Sequence, residues 1–186
     1  MITIQHQLKN EQYYIPNWPI KFLFLGTFNP QGGENVNYYY GREKNQTWTL
    51  LSEIFKTSFN PRDSNFLDKI KKYGIGCIDM IDEVRAPQHF IENINGKGYK
   101  DSKIINKVVE RTYNTTIIQG LILKNPNVKV FSTWGKGSNL KEWKNEINKI
   151  ENLISLVSPS LAARVPQGES KFQFMLDDWK SKILIS

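Results

Sequence analysis

A glycine-rich polar segment follows the first apolar stretch of the chain and is a candidate ligand loop. Residues 20–25 are almost continuously apolar, and they run into residues 26–33, with the sequence GTFNPQGG. Glycine lets the backbone approach a ligand closely. The segment has neither the Lys-Ser/Thr pair of a phosphate loop nor the spacing of a dinucleotide-binding fingerprint, so it indicates only a generic glycine-rich turn.

Three consecutive tyrosines, Tyr38, Tyr39 and Tyr40, lie in a loop that precedes a predicted helix. A tyrosine offers a flat stacking face and a polar tip, which suits a nucleobase. The alternative is that one or two of these rings cap the hydrophobic core. Residues 37–48 (NYYYGREKNQTW) are therefore the second candidate loop.

A third candidate loop, residues 158–166 (SPSLAARVP), follows the last apolar stretch of the chain. Pro159 comes directly after a predicted buried strand and forces a sharp exit. The residues beyond it place a short apolar side chain, Leu161, and a cation, Arg164, at a loop tip. Such a tip can enter a nucleic-acid duplex and fill the hole left by a displaced base. The alternative is an ordinary strand-to-helix loop.

Strands and helices alternate along the chain, which predicts the elements that position these loops. Apolar stretches predict strands at 20–25, 76–80, 128–131 and 153–157. Helical spacing of apolar residues predicts helices at 47–55, 66–73, 102–112, 115–123, 140–150 and 170–183. The fold class is therefore α/β, a three-layer α/β/α sandwich with a central four-stranded parallel sheet. Ligands of such sheets bind at the carboxyl ends of the strands, where the three candidate loops begin.

Length and charge restrict the class of protein. The chain has 186 residues, with 25 Lys+Arg against 18 Asp+Glu and a formal net charge of +7, and we expect one domain over 1–186. A basic chain attracts phosphates, although lysine-rich helices can also be plain solvated faces. The apolar stretches are too short for a membrane helix, and the first residues do not resemble a signal peptide. We therefore expect a cytoplasmic protein without a membrane partner.

Cysteine and histidine are too few for several kinds of site. A single cysteine, Cys77, excludes an internal disulfide framework, a cysteine-ligated zinc site and an iron–sulfur cluster. His6 and His89 lie in unrelated segments, which gives no support to a serine–histidine system or a histidine-rich metal site. Asp79 ends a predicted strand on the ligand side, where it is either a general base or a structural acceptor. We expect no metal and no cofactor.

The motifs, taken in order, resemble the uracil-DNA glycosylase superfamily, and most closely its mismatch-specific and hypoxanthine-type branches. In those branches a Gly-x-x-Pro-type loop follows the first strand, and a Tyr-Tyr-Ala-His-Pro-Arg-Asn-x-Phe-Trp segment opens the next helix. The matching segments, which span roughly residues 20 to 180, are LFLG at 23–26, YYGREKNQTW at 39–48, GIGCIDMI at 74–81, DSKI at 101–104, NVKVFSTWGK at 127–136, and SPS at 158–160 with Arg164.

This resemblance implies a function and a partner. The implied activity is hydrolysis of the N-glycosidic bond of a deaminated base, uracil or hypoxanthine/xanthine, as the first step of base excision repair. Because that bond is hidden in the base stack, the enzyme must flip the base out of the DNA. It must then place a water, stabilise the departing base anion and hold the base, and none of these tasks requires a metal. The implied partner is DNA with a damaged or mismatched base, and we expect a monomer.

The resemblance implies a catalytic role for two asparagines and one serine. Asn45 matches the catalytic position of the hypoxanthine-type branch, and Asn29 looks like the catalytic asparagine of the mismatch-specific branch, one residue further from Gly26. An amide can orient water through its carbonyl but cannot act as a general base near neutral pH. The alternative for Asn45 is a cap of the following helix. Ser158 stands where some branches have His or Asn, and it is a weaker, neutral donor to the base.

The resemblance also implies the residues that hold the base and the DNA. Tyr40 matches the aromatic position on which the flipped base stacks, with Tyr39 beside it. Backbone N–H groups that follow Gly26, those of Thr27 and Phe28, are candidate donors to base carbonyls. The implied DNA contacts are a phosphate contact from Ser160, a wedge formed by Leu161 and Arg164, and phosphate contacts from Arg42, Lys44 and Lys136.

The sequence departs from the family pattern at several positions, which keeps two other functions open. Arg42 and Glu43 replace the His-Pro of the family segment, and Thr47 replaces an aromatic residue. The first alternative is a catalytically inactive nucleic-acid-binding protein of the same fold, which predicts salt-sensitive binding without base release. The second is an enzyme that acts on free nucleosides, which needs no wedge and tolerates a change of Arg164.

Overall fold

The computed structural model describes residues 1–96, 99–135 and 137–184, and the following elements belong to those residues. The strands are β1 (Ile2–Gln5), β2 (Phe22–Gly26), β3 (Ile75–Asp79), β4 (Ile81–Ala86), β5 (Glu110–Tyr113), β6 (Lys129–Ser132) and β7 (Leu153–Ser155). The α-helices are α1 (Thr47–Phe55), α2 (Phe66–Tyr73), α3 (Asp101–Ile104), α4 (Thr115–Lys124), α5 (Lys141–Ile147) and α6 (Lys171–Ile183), and a 3-10 helix spans Gln88–Asn93. No helix in this part of the chain is both long and apolar enough to cross a membrane.

Four strands form the parallel sheet that the sequence predicts. Their order is β3-β2-β6-β7, and every neighbouring pair is parallel. The ends of the strands differ from the predicted ones by at most two residues. The prediction succeeds because strands covered on both faces are continuously apolar, a pattern that is visible in the sequence alone.

Strand β2 presents an aromatic side chain to one face of this sheet and aliphatic side chains to the other. The ring of Phe24 stacks on Phe131 of the adjacent strand at 5.1 Å and on Trp179 of α6 at 5.8 Å between centroids. Leu23 and Leu25 point to the opposite face, because side chains alternate along a strand, and both are fully buried. Both faces of the sheet are thus buried, in agreement with a layered α/β/α arrangement.

The structure also contains a second, antiparallel sheet, which the sequence patterns did not predict. Its order is β1-β4-β5. A single residue, Met80, separates β3 from β4, so the main chain passes there from the parallel sheet into the antiparallel one. The side-chain amide of Asn114 donates to the carbonyl oxygen of Asp79 at 2.9 Å, and the backbone N–H of Asn114 donates to that of Met80 at 2.8 Å. These bonds join the two sheets at the end of β3.

The helix predicted over 102–112 ends at Ile104, so the prediction is wrong for the remaining residues. Residues Glu110–Tyr113 form β5 instead and pair with β4. The Arg111 guanidinium, on a side chain only 2% exposed, donates to the carbonyl oxygens of Ile104 at 3.0 Å and Asn106 at 2.8 Å. Backbone acceptors at the end of α3 are thus satisfied by a side chain rather than by a further helical turn.

The other predicted helices are confirmed, with shifted ends for three of them. Helices α1 and α2 have the predicted bounds, and α2 ends on Gly74, which has a φ of 67° and acts as the left-handed C-cap. Helix α6 starts one residue late because the hydroxyl of Ser170 accepts a hydrogen bond from the N–H of Gln173 at 3.5 Å. Helix α4 is one residue longer than predicted, and α5 is four residues shorter.

Two glycines give a matched test of this helical framework. Gly120 lies inside α4, and a Cβ there would meet no atom within 4 Å. Gly120→Ala should raise the free energy of unfolding by about 0.5–1 kcal/mol, because alanine favours the helix more than glycine does. A urea unfolding curve measures this change.

Gly74→Ala should act in the opposite direction. Its φ is in the left-handed region, and a Cβ would lie 2.8 Å from the Cγ of Lys21. The expected loss in the free energy of unfolding is at least about 1 kcal/mol. Equal effects of the two substitutions would contradict the assignment of Gly74 as a C-cap and of Gly120 as an open helical position.

Candidate functional site

A cleft lies at the carboxyl ends of the parallel strands. Its volume is about 620 Å³, within the range of small-molecule sites. Strand β2 lies between β3 and β6 in the sheet. The chain passes from β2 to β3 on one side of β2, and it later forms β6 on the other side. Ligands bind in α/β sheets at such a switch of strand order. The position of the cleft is therefore the one that the sheet topology favours.

Most of the predicted site residues line this cleft. The three candidate loops, which are far apart in the sequence, converge there. The lining residues that the sequence predicts are Gly26, Thr27, Phe28, Asn29, Tyr40, Arg42, Lys44, Asn45, Ser158 and Ser160. Lys136 lies outside the residues that the structure describes.

Backbone contacts hold the loop after β7 against the segment before α1. Asn45 and Ser160 form an isolated antiparallel bridge, and the N–H of Gln46 donates to the carbonyl oxygen of Pro159 at 2.9 Å. Leu161, which is 47% exposed, follows directly at the rim of the cleft. Arg164 is also exposed, and neither side chain lines the cleft itself. The predicted wedge residues are thus available at the surface beside it.

The three consecutive tyrosines do not share one role. Tyr38 and Tyr39 are core residues, and the hydroxyl of Tyr39 donates to the carbonyl oxygen of Tyr14 at 2.8 Å. Tyr39 therefore does not reach the cleft, contrary to its expected place beside the base. Tyr40 does line the cleft, and its hydroxyl lies 3.4 Å from the Oγ1 of Thr133. Its φ of 58° is unusual for a tyrosine, and it accompanies the change in side-chain direction from the core to the cleft.

Both candidate asparagines already receive a hydrogen bond on their side-chain oxygen. The Oδ1 of Asn45 accepts from the N–H of Thr47 at 2.9 Å, a local turn contact two residues along the chain. The N-cap of α1 is Gln46, so the alternative of Asn45 as the helix cap is wrong. The Oδ1 of Asn29 accepts from the Tyr99 hydroxyl at 3.2 Å, and its Nδ2 donates to Asp79 at 3.1 Å. Of the four side-chain polar atoms of these two asparagines, only the Nδ2 of Asn45 has no partner among the residues that the structure describes. Of the two amides, that of Asn45 is therefore the freer to meet a ligand.

Asp79 and His6 form a buried pair at the floor of the cleft that the sequence analysis missed. The Nε2 of His6 lies 2.9 Å from the Oδ2 of Asp79, and the two side chains are 0% and 3% exposed. The N–H of Leu8 donates to the Nδ1 of His6 at 3.1 Å, which leaves the proton on Nε2 and the imidazole neutral. The alternation of apolar and polar residues in β1, Ile2–Gln5, is the one sequence signal that this segment is a strand.

Gly26 allows the carboxylate of Asp79 to sit against the end of β2. A Cβ on Gly26 would lie 2.1 Å from the Oδ1 of Asp79 and 3.2 Å from the hydroxyl oxygen of Tyr40. No other amino acid fits there without displacing Asp79. The glycine at the start of the first candidate loop is therefore needed for the close approach of the Asp79 side chain, whether or not a ligand also approaches the backbone there.

A second missed cluster, Tyr99 to Asp101, forms another wall of the cleft. The guanidinium carbon of Arg42 lies 4.6 Å from the ring centroid of Tyr99, a cation–π arrangement. Burial raises the pKa of the Asp101 carboxyl, while the nearby Arg42 lowers it; the charge of Asp79 raises it further, and the Thr27 hydroxyl lowers it. The net direction is upward, so the folded protein disfavours the ionised form of Asp101.

No metal centre is evident in the cleft. Within residues 1–96, 99–135 and 137–184, no group of three or more His, Cys, Asp or Glu side chains is arranged to hold a metal ion. The polar groups of the cleft are instead hydroxyls, amides, cations and the three carboxylates of Glu34, Asp79 and Asp101. Such groups can bind, orient and exchange protons with a ligand.

The raised pKa of Asp101 predicts how stability depends on pH. Its contribution to stability is present below its ordinary pKa of 3.8 and is lost as the pH rises through the raised value of the folded protein. Asp101→Asn removes this loss. The free energy of unfolding of the variant, measured relative to wild type in urea, should therefore increase between acidic and neutral pH. A difference that stays constant with pH would contradict this prediction.

The chain was also compared with known proteins. Comparison with protein-family models, with curated proteins and with solved structures found no match. The geometry and chemistry of the cleft are therefore the basis for proposing a function.

Proposed function

We propose that this chain is a monofunctional DNA glycosylase with a uracil-DNA glycosylase-like fold, which hydrolyses the N-glycosidic bond of a deaminated base in DNA. One observation carries the proposal. The loop after β2, the segment before α1 and the loop after β7 meet in one cleft at the carboxyl edge of the parallel sheet. These are the segments whose sequences resemble the glycosylase motifs.

The floor and wall of the cleft suit a flipped base. Within the described residues, no protein acceptor takes the backbone N–H of Thr27 or of Phe28. Two free N–H groups at the end of a buried strand can donate to base carbonyls and to the negative charge that develops on a departing base. Tyr40 supplies an aromatic surface beside them, and Ser158 supplies a neutral hydroxyl. These contacts select a base by its shape and its acceptors.

The charges around the cleft suit a phosphate backbone. Arg42 and Lys44 line the cleft, and Lys100, which the sequence analysis did not single out, lines it as well. Glu43, whose charge is unfavourable next to DNA, is exposed and does not line the cleft. Glu34 does line it, and its Oε1 accepts from the backbone N–H of Glu43 at 2.7 Å. Cations placed beside a base pocket fix the register of the nucleic acid, whereas the pocket reads the base. The net charge of +7 acts in the same direction.

The exposed tip of the loop after β7 suits a wedge. Leu161 and Arg164 project at the surface next to Ser160, which lines the cleft. An apolar side chain inserted into a duplex compensates for the stacking lost when a base is flipped out. We propose this role for Leu161, with Arg164 and Ser160 contacting the flanking phosphates.

A base-release assay tests the proposed activity. Purified protein is incubated with labelled oligonucleotides that carry uracil, hypoxanthine or xanthine, single-stranded and in mismatched duplexes, and abasic sites are then cleaved with alkali. We expect release from at least one of these lesions. Salt-sensitive DNA binding without release from any lesion would instead indicate the inactive binding protein.

Variants of the two asparagines test the assignment of the catalytic amide. Asn45→Ala should lower the rate of base release by about 10²-fold, the order of magnitude for loss of one catalytic hydrogen-bonding group. Asn127→Ala, an exposed position before β6 at the opposite edge of the sheet, is the matched control and should release base at the wild-type rate. Release that survives Asn45→Ala but not Asn29→Ala would transfer the role to Asn29.

Variants of the loop tip separate a DNA glycosylase from an enzyme of free nucleosides. Leu161→Ala and Arg164→Ala should slow release from duplex DNA much more than release from single strands, because only the duplex requires displacement of a stacked base. Single-turnover rates on the two substrates measure this ratio. Hydrolysis of free nucleosides, together with an unchanged rate in Arg164→Ala, would support the nucleoside enzyme instead.

A further inference from the structure

We propose that Asp79, held in place by His6, is the catalytic residue that takes the proton of the attacking water during base release. This inference rests on the proposed function and adds to it the identity of the group that activates the water. The sequence leaves Asp79 open as a general base or a structural acceptor, and the glycosylase resemblance assigns a role to neither residue. What the structure adds is the contact of Asp79, on the second parallel strand, with His6, which lies outside the parallel sheet.

The two oxygens of Asp79 have different surroundings. Oδ2 accepts from the Nε2 of His6 at 2.9 Å and from the Nδ2 of Asn29 at 3.1 Å. Oδ1 receives no hydrogen bond from the residues that the structure describes, and it lies against Gly26 at the lining of the cleft. The side chain is 3% exposed, so this unpartnered oxygen is buried from the outside and open only towards the cleft. A ligand water there would find one free, negatively charged acceptor.

His6 orients the carboxylate without adding charge. Its Nδ1 accepts from the N–H of Leu8, so it acts as a neutral donor on Nε2. Two backbone bonds fix its place: the N–H of His6 donates to the carbonyl oxygen of Asp82 at 3.1 Å, and the N–H of Gln7 donates to that of Asn29 at 2.7 Å. The two donors to Oδ2, His6 and Asn29, are therefore connected by a backbone hydrogen bond, which restricts the orientation of the Asp79 carboxylate.

Asp79 is better suited to this step than either candidate asparagine. The side-chain oxygens of Asn29 and Asn45 each already accept a hydrogen bond. An amide can orient a water but cannot take its proton near neutral pH, whereas a carboxylate can do both. Asn29 then acts as a positioning residue for Asp79, and Asn45 remains the amide that contacts substrate.

In the proposed step the C1′–N bond breaks, and its electron pair leaves with the base, which the free N–H groups of the cleft stabilise as an anion. The water oxygen forms a bond to C1′, and the water proton moves to the Oδ1 of Asp79. Asp79 returns this proton to solvent, and the base anion takes one from solvent. The net reaction adds hydroxyl to the sugar and hydrogen to the base.

The decisive measurement compares single-turnover base release with binding of lesion DNA in the same variants. Asp79→Asn keeps the shape of the side chain but cannot take a proton, so the rate of release should fall by about 10²–10⁴-fold. Its Kd for lesion DNA should stay at the wild-type value or decrease, because the substitution removes a negative charge near phosphates. A rate loss without a binding loss is the signature of a catalytic role.

Glu146→Gln is the matched structural control. Glu146 is a partly buried carboxylate of α5 that accepts from the Thr115 hydroxyl at 2.6 Å and from Lys149 at 2.5 Å, and it does not line the cleft. This variant should lower the thermal midpoint and leave the rate of release at the wild-type value. Equal loss of rate in Glu146→Gln and Asp79→Asn would show that Asp79 acts only through stability, and would overturn the proposal.

A pair of His6 variants tests the positioning role independently of Asp79→Asn. His6→Phe keeps a ring but removes the donor, and the rate should fall by roughly 10–10²-fold, since a misplacement of about 1 Å in a catalytic group costs that order. His6→Gln places an amide N–H near Nε2 and should restore most of the rate. Equal rates in the two variants would overturn the role of His6.

The outcomes separate this proposal from the proposed function. If wild type releases a base and Asp79→Asn releases it equally fast, while Asn45→Ala does not, the glycosylase assignment stands and the role of Asp79 is overturned. If wild type releases no base from any lesion, both are overturned. Slow release in Asp79→Asn with unchanged DNA binding supports both.

Discussion

The buried hydrogen bond between His6 and Asp79 is the interaction on which the candidate site depends. A carboxylate taken out of water is costly by several kcal/mol unless donors compensate it. Here the two donors come from the residue after β1 and from the loop after β2. The N-terminal strand, that loop and β3 must therefore stay together for Asp79 to remain buried, and this requirement couples the antiparallel sheet to the parallel one at the floor of the cleft.

The shape of the cleft follows from that coupling. Gly26 leaves the space into which Asp79 projects. Asn114 joins the end of β3 to the start of α4, because its side-chain amide donates to the carbonyl oxygen of Asp79 and its backbone N–H donates to that of Met80. On the opposite side, the bridge between Asn45 and Ser160 brings the loop after β7 over the carboxyl ends of the strands. The cleft is thus a space between two backbone junctions, and its polar groups are held by bonds that do not involve a ligand.

The sequence predicted the strands of the parallel sheet, but it did not predict the antiparallel strands, whose pairing partners are distant in the chain. The parallel strands lie in predominantly apolar stretches, so their positions can be predicted to within one or two residues. Strands β1, β4 and β5 are only partly buried, and β1 pairs with β4 over a long separation in sequence, for example Ile2 with Ala86. Nothing local identifies such a partner, and the apolar spacing of residues 104–109 therefore favoured a helix where the chain turns into β5.

The amino-acid sequence by itself determined the α/β class, the four parallel strands and the three loops that meet at their carboxyl edge, because these depend on local apolar patterns and on the topology rule for parallel sheets. The tertiary structure alone decided which side chains face the cleft. It directs Tyr39 into the core and Tyr40 to the cleft, and it brings His6 to Asp79 across 73 positions of the chain. Burial and hydrogen bonding depend on contacts between residues distant in sequence, which local propensities do not contain.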